Sequence, residues 1–351
     1  MLIGAAILIS VTYLAARMFT GLVNTPPTPL STLHDQPREQ AVLPGEVLQL
    51  RVSPGGEFLA VLALGGEIPG PRLYLYRLEE GLVPLVDVPV RGYRLDWRED
   101  GGRPLLLYED AGDIWQLDPE MPAPLNLAPG DPSFDSDPLP SPDGAALLFK
   151  RTPLESEGRP QLWALFPGSG EARHVAPWNG EPRWSPDGSR IAVLFPLEGS
   201  SLSEQAGFQV ELLGLSEGSR RLITLRRREV LHLEWDDPDN LLLVCLYRPD
   251  DGSEARGVVY RREARTGGEE KAIGTLRSIG EEDRGRCFRL DREDRRLAYL
   301  GSSGLEFFDL AEERIYREEY VTDLDALDWL PEGKGMVIAR DGIIYLLYFE
   351  R

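Results

Sequence analysis

Histidine occurs only at His34, His174 and His232, and cysteine only at Cys245 and Cys287. So few such donors leave no Cys-x-x-Cys pair, no histidine-rich metal motif and no disulfide framework to organise the chain. Both cysteines lie in or beside apolar, strand-like runs and read as buried thiols or as a single bridge. Basic side chains are also scarce. Against 58 Asp and Glu stand 38 Lys and Arg, a formal net charge of −20, which argues against nucleic acid as a partner. A nucleophile-elbow serine and a glycine-rich phosphate loop are missing too. No cofactor, metal or catalytic residue is therefore assigned. Asp131, Asp135 and Asp137 lack the glycine and terminal Glu of a calcium loop, so turn chemistry is the better reading of them.

Long hydrophobic runs are confined to the N-terminus. Met1–Ala16 carries no charge, and Met18–Val23 continues the run after Arg17. About twenty such residues cross a bilayer as a helix, with Arg17 at the membrane boundary, where its side chain extends to the headgroups. A basic leading region and an Ala-x-Ala cleavage site are both absent, so residues 1–23 read as a retained transmembrane anchor. Residues 24–37, rich in proline and without periodicity, read as an extended tether. The domain beyond it is expected on the exported side of the membrane, although Arg17 by itself would favour a cytoplasmic flank.

What is plentiful is glycine (36) and proline (29), the punctuation of short strands and tight turns. The stretch Trp184-Ser185-Pro186-Asp187-Gly188 is followed by the apolar run Ile191–Phe195. Serine favours the first position of a type I turn, proline presets φ at the second, and aspartate then glycine complete the reversal. The pattern returns as Ser141-Pro142-Asp143-Gly144 before Ala146–Phe149, and as Ser53-Pro54-Gly55-Gly56 before Phe58–Leu62. Aligned on the serine, seven units appear, at Ser53, Arg98, Ser141, Ser185, Asp236, Asp291 and Leu330. A period of roughly 40 to 55 residues is that of propeller blades. Trp97, Trp184, Trp235 and Trp329 share the position before the turn, where a large ring would pack between blades. The last unit ends one strand short, and the pattern around Glu39–Leu43 matches an outer strand. Residues 38–351 thus read as an all-β, seven-bladed β-propeller of four-stranded antiparallel blades, closed by an N-terminal strand and preceded by one transmembrane helix.

The Trp-Ser-Pro-Asp-Gly hairpins with their aliphatic second and aromatic third strands resemble the TolB-like, WD40-like propeller repeats. That resemblance implies a fold and no reaction. With no catalytic set in view, the expected function is a non-enzymatic, membrane-anchored scaffold or accessory subunit that binds a protein partner or membrane complex. Trp178 and the run Arg226, Arg227 and Arg228 are its candidate binding surface, and the connection from Gly274 to Gly285 is a further place for added function. Two other readings remain open: a metal-assisted propeller hydrolase or lyase on an extracellular sugar or peptide, and a small-ligand sensor. For the exported topology, a cysteine introduced in the tether is expected to react with an impermeant thiol reagent added to intact cells. Protection until lysis would reject export.

Overall fold

The computed structural model describes residues 28–29, 38–65, 69–78, 81–127, 132–154, 158–196, 207–215, 218–226, 229–248, 255–265, 270–276, 288–301, 304–318 and 324–349. In each Ser-Pro turn the glycine N–H closes onto the serine carbonyl, at 2.8 Å for Gly56 and 2.9 Å for Gly144 and Gly188. The serine hydroxyl oxygen then accepts the N–H five residues on, from Phe58, Ala146 and Arg190, at 2.9–3.0 Å. Asp143 and Asp187 each take the serine hydroxyl proton at 2.6 Å and a backbone N–H at 3.1 Å, the turn role expected of them. Gly144 has φ of 69°, and a Cβ there would lie 1.9 Å from the Glu99 carbonyl oxygen. Only glycine lets this turn press against the preceding blade.

Seven four-stranded antiparallel blades follow. Their inner strands are Val47–Val52, Leu95–Asp100, Ser133–Pro140, Pro182–Trp184, Glu229–Asp237, Arg289–Asp291 and Ala326–Leu330 for blades 1 to 7. Each second strand carries an apolar run, because both of its faces are covered there. In blade 1, Leu59, Val61 and Ala63 join the cluster shared with blade 7, while Phe58, Ala60 and Leu62 join the cluster shared with blade 2. In blade 5, Leu241, Leu243 and Cys245 face blade 4, and Leu242, Val244 and Leu246 face blade 6. Every blade-to-blade interface holds one such cluster. The core is therefore a ring of interfaces.

The outer strands meet water. Leu82–Pro89 is mostly exposed, as is Glu171–Pro177. Blade 7 takes its outer strand from the N-terminus, where Arg38–Val42 pairs antiparallel with Ile343–Tyr348. Thr28–Pro29 adds a short parallel strand to Arg314–Glu318 at the edge of blade 6. No helix among the described residues is long and apolar enough to cross a membrane, and residues 1–23, Arg17 among them, lie outside those described.

Adjacent blades are clasped by the recurrent tryptophans. The indole Nε1 of Trp97 donates to the Arg51 carbonyl at 3.0 Å, Trp184 to Leu139 at 3.0 Å, Trp235 to Arg183 at 3.0 Å and Trp329 to Arg289 at 2.9 Å. In every case the acceptor belongs to the preceding inner strand, two residues before its turn. At two of the four positions where the turn serine is replaced, the substitute reaches onward instead. Arg98 Nε donates to the Gly144 carbonyl of blade 3 at 2.9 Å, and buried Asp236 accepts Arg295 of blade 6 at 2.6 Å. Trp235→Phe keeps most of the packing but leaves the Arg183 carbonyl without its buried donor. It should cost about 1–3 kcal/mol in urea unfolding, and Trp235→Ala about 3–5 kcal/mol.

Candidate active site in the central channel

The residue two places before each turn occupies one level of the channel. These residues are Arg51, Asp96, Leu139, Arg183, Glu234, Arg289 and Asp328, all half-buried. Six of the seven are charged, with cationic and anionic side chains interspersed around the ring. Their anchoring repeats as well. Arg51, Arg183 and Arg289 each donate Nη1 to the carbonyl of the preceding residue, at 2.9, 3.0 and 2.7 Å. Asp96 and Glu234 each accept the N–H of the tryptophan that follows, at 2.8 and 3.0 Å, and Asp328 accepts Val52 N–H of the next blade at 2.9 Å. The inner strands thus set both the height and the aim of the charges.

A cavity of about 290 Å³ opens here among the turns. Asp96, Glu99, Leu139, Arg183, Glu234 and Arg292 are part of its lining, together with Pro54 and Pro142 from the turns themselves. Ion pairs run from it along the channel. Arg292 meets Glu234 at 2.8 Å, Arg183 lies 3.8 Å from Glu234 and 3.0 Å from Glu181, and Arg94 holds Glu181 and Asp137, each at 3.2 Å. The exposed links add little stability, about 0–1 kcal/mol each. Their effect is to hold side chains from blades 2 to 6 in register along one wall.

The environment separates Asp96 and Glu234, the two ring carboxyls that line the cavity. Desolvation raises Asp96 above its ordinary pKa, and the opposing pulls of Arg51 and the Trp97 N–H do not cancel it. Burial would raise Glu234 too, but Arg292 and Arg183 overcome it and hold the group below the usual carboxylate range. His232, one level along, is buried, and its ring stacks on Phe288 with centroids 4.9 Å apart. Desolvation, aided by Arg183, pushes it down to about 3, so the imidazole is neutral. Desolvation and the neighbouring Arg51 push Arg289 down to about 9, which still leaves it charged at neutral pH.

The residues singled out from sequence lie elsewhere. Trp178 is half-buried against a cluster shared by blades 3 and 4, with Lys150 Nζ 5.7 Å from its ring centroid. Arg226 ends the outer strand of blade 4, away from the channel, while Arg227 and Arg228 are outside the described residues. Gly274 falls within the strand Glu270–Leu276, and 277–287, Cys287 included, is not described. Asp135 and Asp137 lie in the inner strand of blade 3 and not in a turn, paired with Arg151 at 2.7 Å and Arg94 at 3.2 Å. Sequence reasoning missed the channel ring. Its signal was a charge at a fixed offset from the turn in six of seven units.

No family model matches the chain, and no curated protein matches it. Solved structures do. An oligogalacturonate lyase in complex with manganese has a TM-score of 0.65 at 16% identity, covering 93% of this chain and 98% of that one. A puromycin hydrolase S511A mutant complexed with PGG has a TM-score of 0.61 at 16% identity over 86% of this chain, which spans only 50% of that one. A puromycin-hydrolyzing peptidase of Mycobacterium tuberculosis has a TM-score of 0.58 at 17% identity, with 88% of this chain and 57% of that one covered. These identities establish the propeller fold. They also overturn the expectation of a non-enzymatic scaffold or accessory subunit, because the similar propellers are enzymes. Among the described residues no three His, Cys, Asp or Glu side chains converge as metal ligands, so the donor set does not fit a manganese site.

Neutral burial of His232 has a measurable cost in acid. Its pKa falls from 6.5 to about 3 on folding, so between these values the unfolded chain binds more protons. The associated stability is complete above the upper value and is lost as pH falls through the window. His232→Gln should flatten the dependence of unfolding free energy on pH there by up to about 1.4 kcal/mol per pH unit. An unchanged slope in denaturant titrations would reject the assignment.

Proposed function

We propose that the chain is a propeller enzyme that cleaves a saccharide in the central channel by acid–base chemistry shared between Asp96 and Glu234. The observation that carries this reading is their placement in the lining of one cavity, each fixed by the N–H of a neighbouring tryptophan. Pairs of carboxyls driven apart in pKa divide the labour in such reactions. Asp96 keeps its proton to higher pH and serves as the acid at the departing oxygen. Glu234, held ionised by Arg292 and Arg183, serves as the base or faces the positive charge that develops on the sugar. The lyase supports a saccharide over a peptide, since this chain corresponds to 98% of that structure and to about half of the puromycin hydrolases. Residues 1–23 would anchor the enzyme in a membrane, on the exported side, and the Ser-Pro-Asp-Gly turns support a relation to the TolB-like propellers.

The test is turnover on a panel of neutral and acidic oligosaccharides, following both reducing ends and unsaturated products. Asp96→Asn and Glu234→Gln should each lower kcat by about 100-fold or more while leaving unfolding curves in place. Arg292→Gln removes a cation that lowers Glu234, so the acid limb of the rate profile should move to higher pH. Turnover indifferent to both carboxyl substitutions would reject the reading.

A further inference from the structure

Arg51 and Arg289 stand out from the other channel cations. Arg94, Arg183 and Arg292 each have a carboxylate within ion-pair distance. Among the described residues, neither Arg51 nor Arg289 has one. Each donates a single side-chain N–H to its own strand, Arg51 to the Leu50 carbonyl and Arg289 to the Phe288 carbonyl. The Nε of Arg289 is buried and has no hydrogen-bond partner. A guanidinium has five donors in a planar fork, so most of this capacity is unspent. The two cations also act on each other unfavourably, and Arg183 adds to the repulsion at Arg289. Asp328 and Asp96 offset it from beyond ion-pair distance, with one Asp328 oxygen already committed to Val52 N–H. In a protein of net charge −20, two under-used guanidiniums that flank Asp328 leave a net positive charge on that arc of the ring.

We infer that Arg51 and Arg289 form an anion subsite that receives a carboxylate of the substrate without a metal ion. This rests on the proposed saccharide enzyme and narrows its substrate class to acidic sugars. The planar fork of Arg289 matches the two oxygens of a carboxylate side by side, which an ammonium would not do. Arg51, on the other side of Asp328 in the ring, supplies the second charge. Both residues lie at the level of Asp96 and Glu234, so a sugar ring held there by its carboxylate sits beside the acid–base pair. The failure of the described side chains to assemble a metal site agrees with this division: the charge a divalent cation would supply is already in the wall.

The experiment measures binding separately from turnover. Purified full-length protein is titrated with galacturonate by calorimetry and thermal shift, in chelator and again with added manganese, with galactose and inorganic phosphate as controls. Galacturonate should bind and raise the melting temperature equally in both buffers, galactose should do neither, and phosphate should bind more weakly than galacturonate. Arg51→Gln and Arg289→Gln should each weaken binding about 10-fold or more, the loss of a charge-assisted hydrogen bond. Arg289→Lys, which keeps the charge and loses the fork, should recover only part of it. Folding of each variant is checked by its unfolding midpoint without ligand. Binding that needs manganese, that phosphate matches, or that survives both glutamine substitutions would overturn the subsite. Turnover of neutral oligosaccharides alone would overturn the subsite and leave the enzyme standing. Galacturonate binding without turnover of any saccharide would retain the subsite and reject the enzyme.

Discussion

A four-stranded blade of this chain has two apolar faces and cannot stand alone in water. The tryptophan clasp resolves that constraint. Trp97, Trp184, Trp235 and Trp329 fill the space between blades with an aromatic ring and spend the indole proton on a carbonyl of the preceding inner strand. Burial supplies the larger energy and the hydrogen bond supplies the register. Because the bond always reaches the residue two before a turn, it fixes the height of one blade against the next. Those same residues project the channel charges. The interface that holds the ring together is thus also the gauge that brings Asp96, Arg183, Glu234 and Arg289 to one level.

The architecture was legible because turn chemistry is local. Serine, proline, aspartate and glycine act through bonds within a few residues, and the same bonds appear in the folded hairpins. Apolar runs such as Phe58–Leu62 read correctly as strands, this one extending to Leu64. The site was less legible. Its acids and arginines come one per blade from segments far apart in sequence, and each resembles an ordinary polar residue of a half-exposed strand. Histidine, cysteine and serine motifs place reactive groups close in sequence. A propeller assembles its chemistry from the same offset in successive repeats, so the informative comparison ran down the aligned units and not along any one of them. Arg226 and Trp178 drew notice by breaking the pattern, whereas Asp96 and Glu234 were hidden by following it.

Electrostatics in the channel depends on this spacing. Charges of both signs at one height neutralise each other enough to be half-buried, yet the seven-fold ring cannot alternate perfectly. Leu139 takes the odd place, between Asp96 and Arg183. The six charges alternate in sign around the rest of the ring, and on the opposite arc Arg289 and Arg51 flank Asp328. Desolvation then acts unequally on nominally equivalent positions, raising Asp96 while Glu234 is held down. Differences in function arise from a repeat through its unequal neighbours.

The pairing of Arg38–Val42 with Ile343–Tyr348 has a consequence in time. The propeller's own first strand emerges from the ribosome long before its partner exists. At about 5–20 residues per second, it waits on the order of tens of seconds for the strand that will receive it. During that interval the early blades can form, but the circle stays open and the inner wall is incomplete. The channel charges reach their common level only after Ile343–Tyr348 is made, so the proposed chemistry waits on that strand.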